Sequence, residues 1–263
     1  MSLVVSDVWK TFSHKTGPQA VLRDVSLEVQ EGEFVSLIGH SGCGKSTVLK
    51  AIGGLLEVDA GRITLDGAPI AGPGPDRAMV FQSYSLLPRL TLVDNVRCAV
   101  RSARPGWSTE QADTASEKYL TAVGLWDHKD KKPAQVSGGM QQRTAVARAF
   151  AVEPRALLLD EPFGALDALT RARLQAQLID LWRSESETEI VLMVTHGIDE
   201  AILLSDRIVV MGNPPGDSLI DTIPVPLARP RDRVSVIGMP AYRKVQERLL
   251  DLLTDEPAGA DAA

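Results

Sequence analysis

Gly39-His40-Ser41-Gly42-Cys43-Gly44-Lys45-Ser46-Thr47 decides how this chain is read. It has the form G-x-x-x-x-G-K-[ST]. The apolar run from Glu33 to Ile38 leads into it, and the helix-like run Thr47 to Ile52 leaves it. Strand, glycine-rich loop and helix are the context that a phosphate-binding loop requires. The glycines let backbone amides curl around a phosphate chain, and the new helix points its positive end at the same place. Lys45 has the reach to meet the outer phosphates, and the Ser46 hydroxyl can ligand Mg²⁺. The plainer reading, a flexible turn before an ordinary helix, does not account for the strand and helix on either side.

The bulk properties limit what such a loop can serve. The chain has 263 residues, 44% apolar and 24% charged, the balance of a soluble globular protein with a substantial core. Its net charge of −6 argues against free nucleic acid as the main ligand. Two cysteines occur, Cys43 and Cys98, and Cys43 lies inside the loop, so no disulfide framework is expected and a reducing cytosol fits. No apolar run approaches the roughly 20 residues that a membrane-spanning helix needs. The first residues lack the basic start and long apolar core of a signal peptide. Work at a membrane is therefore expected to go through a partner.

Outward from the loop, residues 3–9 and Val21 to Val29 read as strands, with a turn-rich loop over residues 10–18. Two readings of Phe12 stand open on the residues alone: stacking on a base, or a hydrophobic plug on the sheet. Ala78 to Phe81 reads as a buried strand that ends at Gln82, where an α/β sheet places its ligands. A strand-end amide satisfied by backbone is the equal alternative. From about residue 87 to 155 helical periodicity replaces strand signals, which suggests an inserted helical subdomain. Leu92 to Ala103 is one helix. Ser108 to Val123 is another, with Ser108 and Gln111 in capping-box spacing. Ser137-Gly138-Gly139 opens a third, where two glycines expose amides behind a good N-cap. Next, Leu157-Leu158-Leu159 ends in Asp160-Glu161, a buried strand delivering carboxylates to its C-terminal end. Asp160 suits the Mg²⁺ shell and Glu161 suits a base for the attacking water. Adjacent strand residues face opposite ways, so the two acids should not share one role. His196 directly follows the strand Glu189 to Thr195.

Taken in order, these motifs resemble those of the nucleotide-binding subunit of ABC transporters. Gly39–Thr47 resembles the Walker A loop, Gln82 the Q-loop glutamine, and Val136–Gln141 the ABC signature. Leu157–Glu161 is similar to Walker B with its catalytic glutamate, Gly164–Asp167 to the D-loop, and His196 to the switch histidine. The resemblance covers about residues 2–253. Within the family, Phe81–Pro88, Asp160–Arg171 and Asp199–Arg207 are similar to importer ATPases for nitrate, sulfonate and taurine. Trp107-Ser108 and the tail Val225–Arg233 look most like the nitrate, nitrite and cyanate members.

The resemblance implies an α/β fold: a P-loop NTPase (RecA-like) core sheet over residues 2–86 and 156–253, an antiparallel β subdomain, and the helical insert. Residues 254–263 are expected to form a disordered tail. ATP and Mg²⁺ are the implied cofactors. ATP would meet Phe12, Gly39, His40, Ser41, Gly42, Cys43, Gly44, Lys45, Ser46 and Thr47, and also Ser137, Gly138 and Gly139. Mg²⁺ would meet Ser46, Gln82 and Asp160. Glu161, His196, Lys45 and Gln82 would act in catalysis. The implied partners are membrane permease subunits, a second ATPase subunit (identical or a sister chain) and, indirectly, a periplasmic solute-binding protein, with no nucleic acid. The implied location is the cytoplasmic face of the inner membrane. Tyr84, Leu86, Leu87 and Pro88 would either grip the permease or pack in the core. Two departures from the family pattern stand out: Val136 and Met140 in the signature, and Gly197 after the histidine, which is expected to loosen that loop.

Overall fold

The computed structural model describes residues 2–14, 17–184, 187–213 and 216–254. By internal contacts the chain forms two compact units: residues 1–73 with 190–263, and residues 74–189. None of the described helices is long and apolar enough to cross a membrane.

The first unit opens with β1 (Ser2–His14) and β2 (Gly17–Gln30), an antiparallel pair that runs from Ser2 opposite Gln30 to His14 opposite Gly17, with register shifts between Val5 and Thr11. The turn-rich composition of residues 10–18 predicts a loop. Instead both strands run on, and only residues 15–16 lie outside the described part of that stretch. Turn-prone residues there form an extended hairpin because each strand supplies the other's backbone partners. Buried Val5, Val8, Leu22, Val25 and Val29 hold the base of this hairpin in the core. Then come β3 (Phe34–Gly39), α1 (Lys45–Ile52), β4 (Ala60–Leu65) and the short β5 (Ala68–Pro69). Strands β2-β1-β4-β5 make one antiparallel sheet, turned between β4 and β5 by Asp66-Gly67.

The second unit holds β6 (Arg77–Val80), α2 (Leu92–Ala103), α3 (Thr109–Ala122), α4 (Gly138–Ala151), β7 (Ala156–Asp160) and α5 (Ala168–Ser184). Strands β6 and β7 pair in parallel, Arg77 opposite Ala156. The α3 capping box forms as read: Gln111 N donates to Ser108 Oγ, and Ser108 N donates to Gln111 Oε1 at 2.8 Å. Val96, Val100, Tyr119, Leu120, Val146 and Phe150 are fully buried, so one apolar seam is shared by α2, α3 and α4.

The chain returns to the first unit with β8 (Ile190–Val194), α6 (Ile198–Leu204), β9 (Arg207–Met211), β10 (Leu219–Pro224), α7 (Arg233–Ile237) and α8 (Pro240–Thr254). Here β3 lies parallel between β8 and β9, and β10 closes antiparallel on β9. Every residue of β3 and β8 is buried, as an apolar run covered on both faces should be. Thr254 closes α8, and the remainder of the expected tail, 255–263, lies outside the described residues.

Candidate functional site

The phosphate-type loop hangs between the C-terminal end of β3 and α1. Helix α1 begins after Gly44, which has φ 100° and supplies no side-chain cap. A Cβ at Gly44 would come within 2.7 Å of Leu22 Cδ2 and 3.1 Å of the Val21 carbonyl, so both backbone conformation and space demand glycine. Lys45 is 5% exposed. Its ammonium donates to the Gly39 and His40 carbonyls, both at 2.7 Å, and lies 3.5 Å from Cys43 Sγ. The lysine therefore stands inside the curve of its own loop rather than pointing into solvent. Cys43 is fully buried. His40, Ser41 and Gly42 are on the surface, and Ser46 and Thr47 are half-buried at the helix start.

Phe12 is 40% exposed on β1, with the Lys10 ammonium 5.7 Å from its ring centre. An exposed ring is no core plug, which removes that alternative for Phe12. Lys10 itself is paired with Asp59 at 2.7 Å.

His196 is exposed, just past the end of β8 and just before α6. Gly197 sits at the N-cap of α6 without a side-chain cap. The turn has other ties. Gly197 N donates to Thr195 Oγ1 at 3.0 Å, and the Thr195 hydroxyl donates to Glu200. Asp199 and Glu200 place negative charge in the first turn, where the helix dipole favours it.

In the second unit β6 ends at Val80, one residue short of the strand end read from the sequence, and Gln82 is exposed two residues on, its Nε2 donating to Glu161 Oε2 at 3.0 Å. Asp160 is 8% exposed at the last position of β7. Asp160 is the last residue of the strand, and Glu161 follows it with φ 46°, a left-handed conformation uncommon for a residue with a long side chain. Such a conformation persists only where surroundings enforce it, and it gathers at functional sites. The turn after it is pinned by Gln142 of α4, whose Nε2 donates to the Pro162 carbonyl at 2.5 Å. Ser137 caps α4, its Oγ accepting from Met140 N at 3.3 Å, with Ser137 and Gly138 exposed. Met140 thus enters through its backbone amide, which any residue but proline supplies. Leu87 is 47% exposed and Pro88 is exposed, so this end of the segment after Gln82 is not core.

Two side chains that motif reading passed over organise that segment. Arg148 of α4 donates to the carbonyls of Ser85 at 2.6 Å and Tyr84 at 3.2 Å, two residues that both have positive φ. Burial holds the Arg148 guanidinium below its ordinary pKa. Asn95 of α2 exchanges hydrogen bonds with Leu87, accepting at 2.7 Å and donating at 3.1 Å. A half-buried arginine in a helix carries no sequence signal of its target. Only the fold reveals it.

Among the described residues no group of three or more His, Cys, Asp or Glu could hold a metal ion. The expected Mg²⁺ donors are a carboxylate, a hydroxyl and an amide oxygen. Such a sparse, hard-oxygen set fits Mg²⁺, which keeps much of its water and is completed by substrate phosphates. A groove of ≈ 550 Å³ elsewhere in the first unit, lined by residues including Leu55, Arg62 and Pro69, contains none of the candidate site residues.

A glycine-rich loop closing on a buried lysine after a parallel strand, a strand ending in a buried aspartate and a glutamine-bonded glutamate, and a capped S-G-G helix define a P-loop ATPase of the cassette class. The family described as "ABC transporter" matches residues 22–164. The chain is 47% identical over 246 residues to the nitrate import ATP-binding protein NrtD of Synechococcus elongatus, covering 94% of this chain and 89% of that one. It is 44% identical over 261 residues to the bicarbonate transport ATP-binding protein CmpD of Synechocystis sp., covering 99% and 92%. Among solved structures, the dimeric post-hydrolysis state of the ATP-binding cassette MJ0796 bound to ADP and Pi superposes with a TM-score of 0.76 at 31% identity. That match covers 86% of this chain and 100% of the other. The chain belongs to the ABC transporter family.

Proposed function

We propose that this chain is the ATP-hydrolysing subunit of an importer for a small inorganic anion, with nitrate or nitrite (or cyanate) as cargo. The observation that carries the reading is the 47% identity, over nearly the whole chain, to a nitrate import ATPase. Bicarbonate is the second cargo, supported by the 44% identity to a bicarbonate transport ATPase. Sulfonates and taurine rest only on the shared motifs.

The proposed ATPase domain spans residues 2–253, with residues about 87–155 as the helical subdomain. Two such chains, identical or sister, hold ATP at the cytoplasmic face of the membrane beside permease subunits. The periplasmic receptor and the permease select the cargo. Phe12 stacks on the adenine. The Gly39–Thr47 amides and Lys45 hold the phosphates. Ser46, Gln82 and Asp160 would hold Mg²⁺, which would supply positive charge against the phosphates. Glu161 orients the attacking water and takes its proton, with Gln82 steadying the carboxylate. His196 donates a hydrogen bond toward the γ-phosphate. Ser137, Gly138 and Gly139 complete the partner's site: they offer amides and a hydroxyl but no metal ligand. Loss of the γ-phosphate then releases the pair.

Glu161→Gln tests this. It keeps ATP binding, because the amide retains the size and the contact with Gln82. It lowers turnover about 10²- to 10⁴-fold, the usual worth of a general base. Single-turnover hydrolysis beside equilibrium binding measures both; wild-type turnover rejects the assignment. Growth of a deletion strain on nitrate as sole nitrogen source, against growth under limiting bicarbonate, decides the cargo.

A further inference from the structure

We infer that the C-terminal helix α8 is a positioning strap that holds both the phosphate loop and the helix following His196. The inference rests on the functional reading above for what these two segments do, but not for how they are held.

Three contacts carry it, all in the first unit. At the far end of α8 the Leu253 carbonyl lies 2.7 Å from His40 Nε2, in the phosphate loop. A carbonyl only accepts, so that ring nitrogen carries the hydrogen. At the near end Tyr242 Oη donates to Asp199 Oδ1 at 2.6 Å, and Gln246 Nε2 donates to the same oxygen at 3.1 Å. Asp199 stands in the first turn of α6, three residues after His196. Tyr242, Gln246 and Leu253 fall at helical spacing on one side of α8, and the same side is anchored by buried Val245 and Leu249. Burial and the nearby Asp199 carboxylate both raise the Tyr242 phenol well above its ordinary pKa, so it stays a donor.

The other end of α6 is held from the same stretch of chain. Arg231, only 2% exposed, donates to the carbonyls of Ile202 at 2.7 Å and Ser205 at 2.5 Å. Arg229 donates to the Leu204 carbonyl and to Asp206 Oδ1, the latter at 2.9 Å. These bonds satisfy helix-end acceptors with positive charge where the dipole wants it. Helix α6 is therefore tied at both ends by residues beyond 225, a stretch outside the matched family segment at residues 22–164. Asp199, Tyr242 and Gln246 touch no reacting atom in this scheme. They act through the placement of His196.

The test compares full-length wild type, Asp199→Ala, Asp199→Asn and the double variant Tyr242→Phe/Gln246→Leu. Steady-state ATP hydrolysis is read as kcat and KM, and amide hydrogen exchange is followed over residues 196–204 and over β3. Asparagine keeps an acceptor for Tyr242 and Gln246; alanine does not. The strap predicts that Asp199→Ala and the double variant lose about 3- to 10-fold in kcat with KM for ATP unchanged, the effect of one or two ordinary hydrogen bonds. It also predicts faster exchange over residues 196–204 but not β3, with Asp199→Asn close to wild type in both readouts. Wild-type kcat and exchange in Asp199→Ala, or equal losses in the alanine and asparagine variants, overturn it. A wild-type protein that does not hydrolyse ATP would overturn the functional reading instead, and the exchange data would still decide the strap.

Discussion

Helix α1 and helix α4 both begin behind glycine-rich entries, but α1 follows Gly44 at φ 100° with no side-chain cap, whereas α4 is capped by Ser137. In the first, the lysine turns back onto the carbonyls of its own loop, so loop, cation and first-turn amides form one preshaped cradle. In the second, Ser137 Oγ accepts from Met140 N, which leaves its own hydrogen to donate outward. On the proposed function, the contrast separates a helix start that holds phosphate by itself from one that completes a partner's site. The physical difference is what meets the first-turn amides: in α4 the side chain of its own N-cap residue, and in α1, on the proposed function, an incoming anion.

Three substitutions can break or sharpen that contrast. The largest effect is expected from Ser137→Arg, which puts bulk and charge where α4 should meet the partner's nucleotide. Hydrolysis falls about 10²- to 10³-fold, the scale of losing preorganised electrostatic stabilisation, while the isolated chain still binds ATP. Measured hydrolysis at wild-type rate would erase the distinction between the two helices. Next is Lys45→Ala. Fluorescent-nucleotide titration should show ATP binding weakened roughly 10- to 100-fold, the worth of charge-assisted bonds to phosphate. Unchanged affinity would mean that the cradle works without its cation. The smallest effect is Ser137→Ala, which removes the cap alone. It should cost about 1 kcal/mol in denaturant unfolding, with ATP binding by the isolated chain intact. No loss of stability would show that the amides at this helix start are already satisfied by water.

Much of this molecule is legible in its sequence. The α2 boundaries, Leu92–Ala103, and the capping box at Ser108 followed from local rules, because periodicity and caps are short-range chemistry. The hairpin over residues 2–30 was misjudged at its tip, since strand extension depends on a partner strand and not on the propensity of Lys10 or Gly17. Strand alternation treats Asp160 and Glu161 as neighbours on one strand, whereas the strand ends at Asp160 and Glu161 takes a left-handed conformation, which local apolar patterning does not signal. Helix α7, five residues long with Asp232 as cap, gave too few turns of periodicity to be seen.

By itself the sequence determined the glycines, the lysine and the order of motifs, because those residue types have few physical uses at that spacing. It also determined the covered strands, since a run such as Ile190–Val194 leaves no polar face to expose. Only the tertiary structure decided which partners the long polar side chains take. Arg148 reaching Tyr84, Gln142 reaching Pro162, and α8 touching both His40 and Asp199 are long-range hydrogen bonds to backbone or side-chain oxygens. Nearly every residue offers such an oxygen, so the choice among them comes from packing.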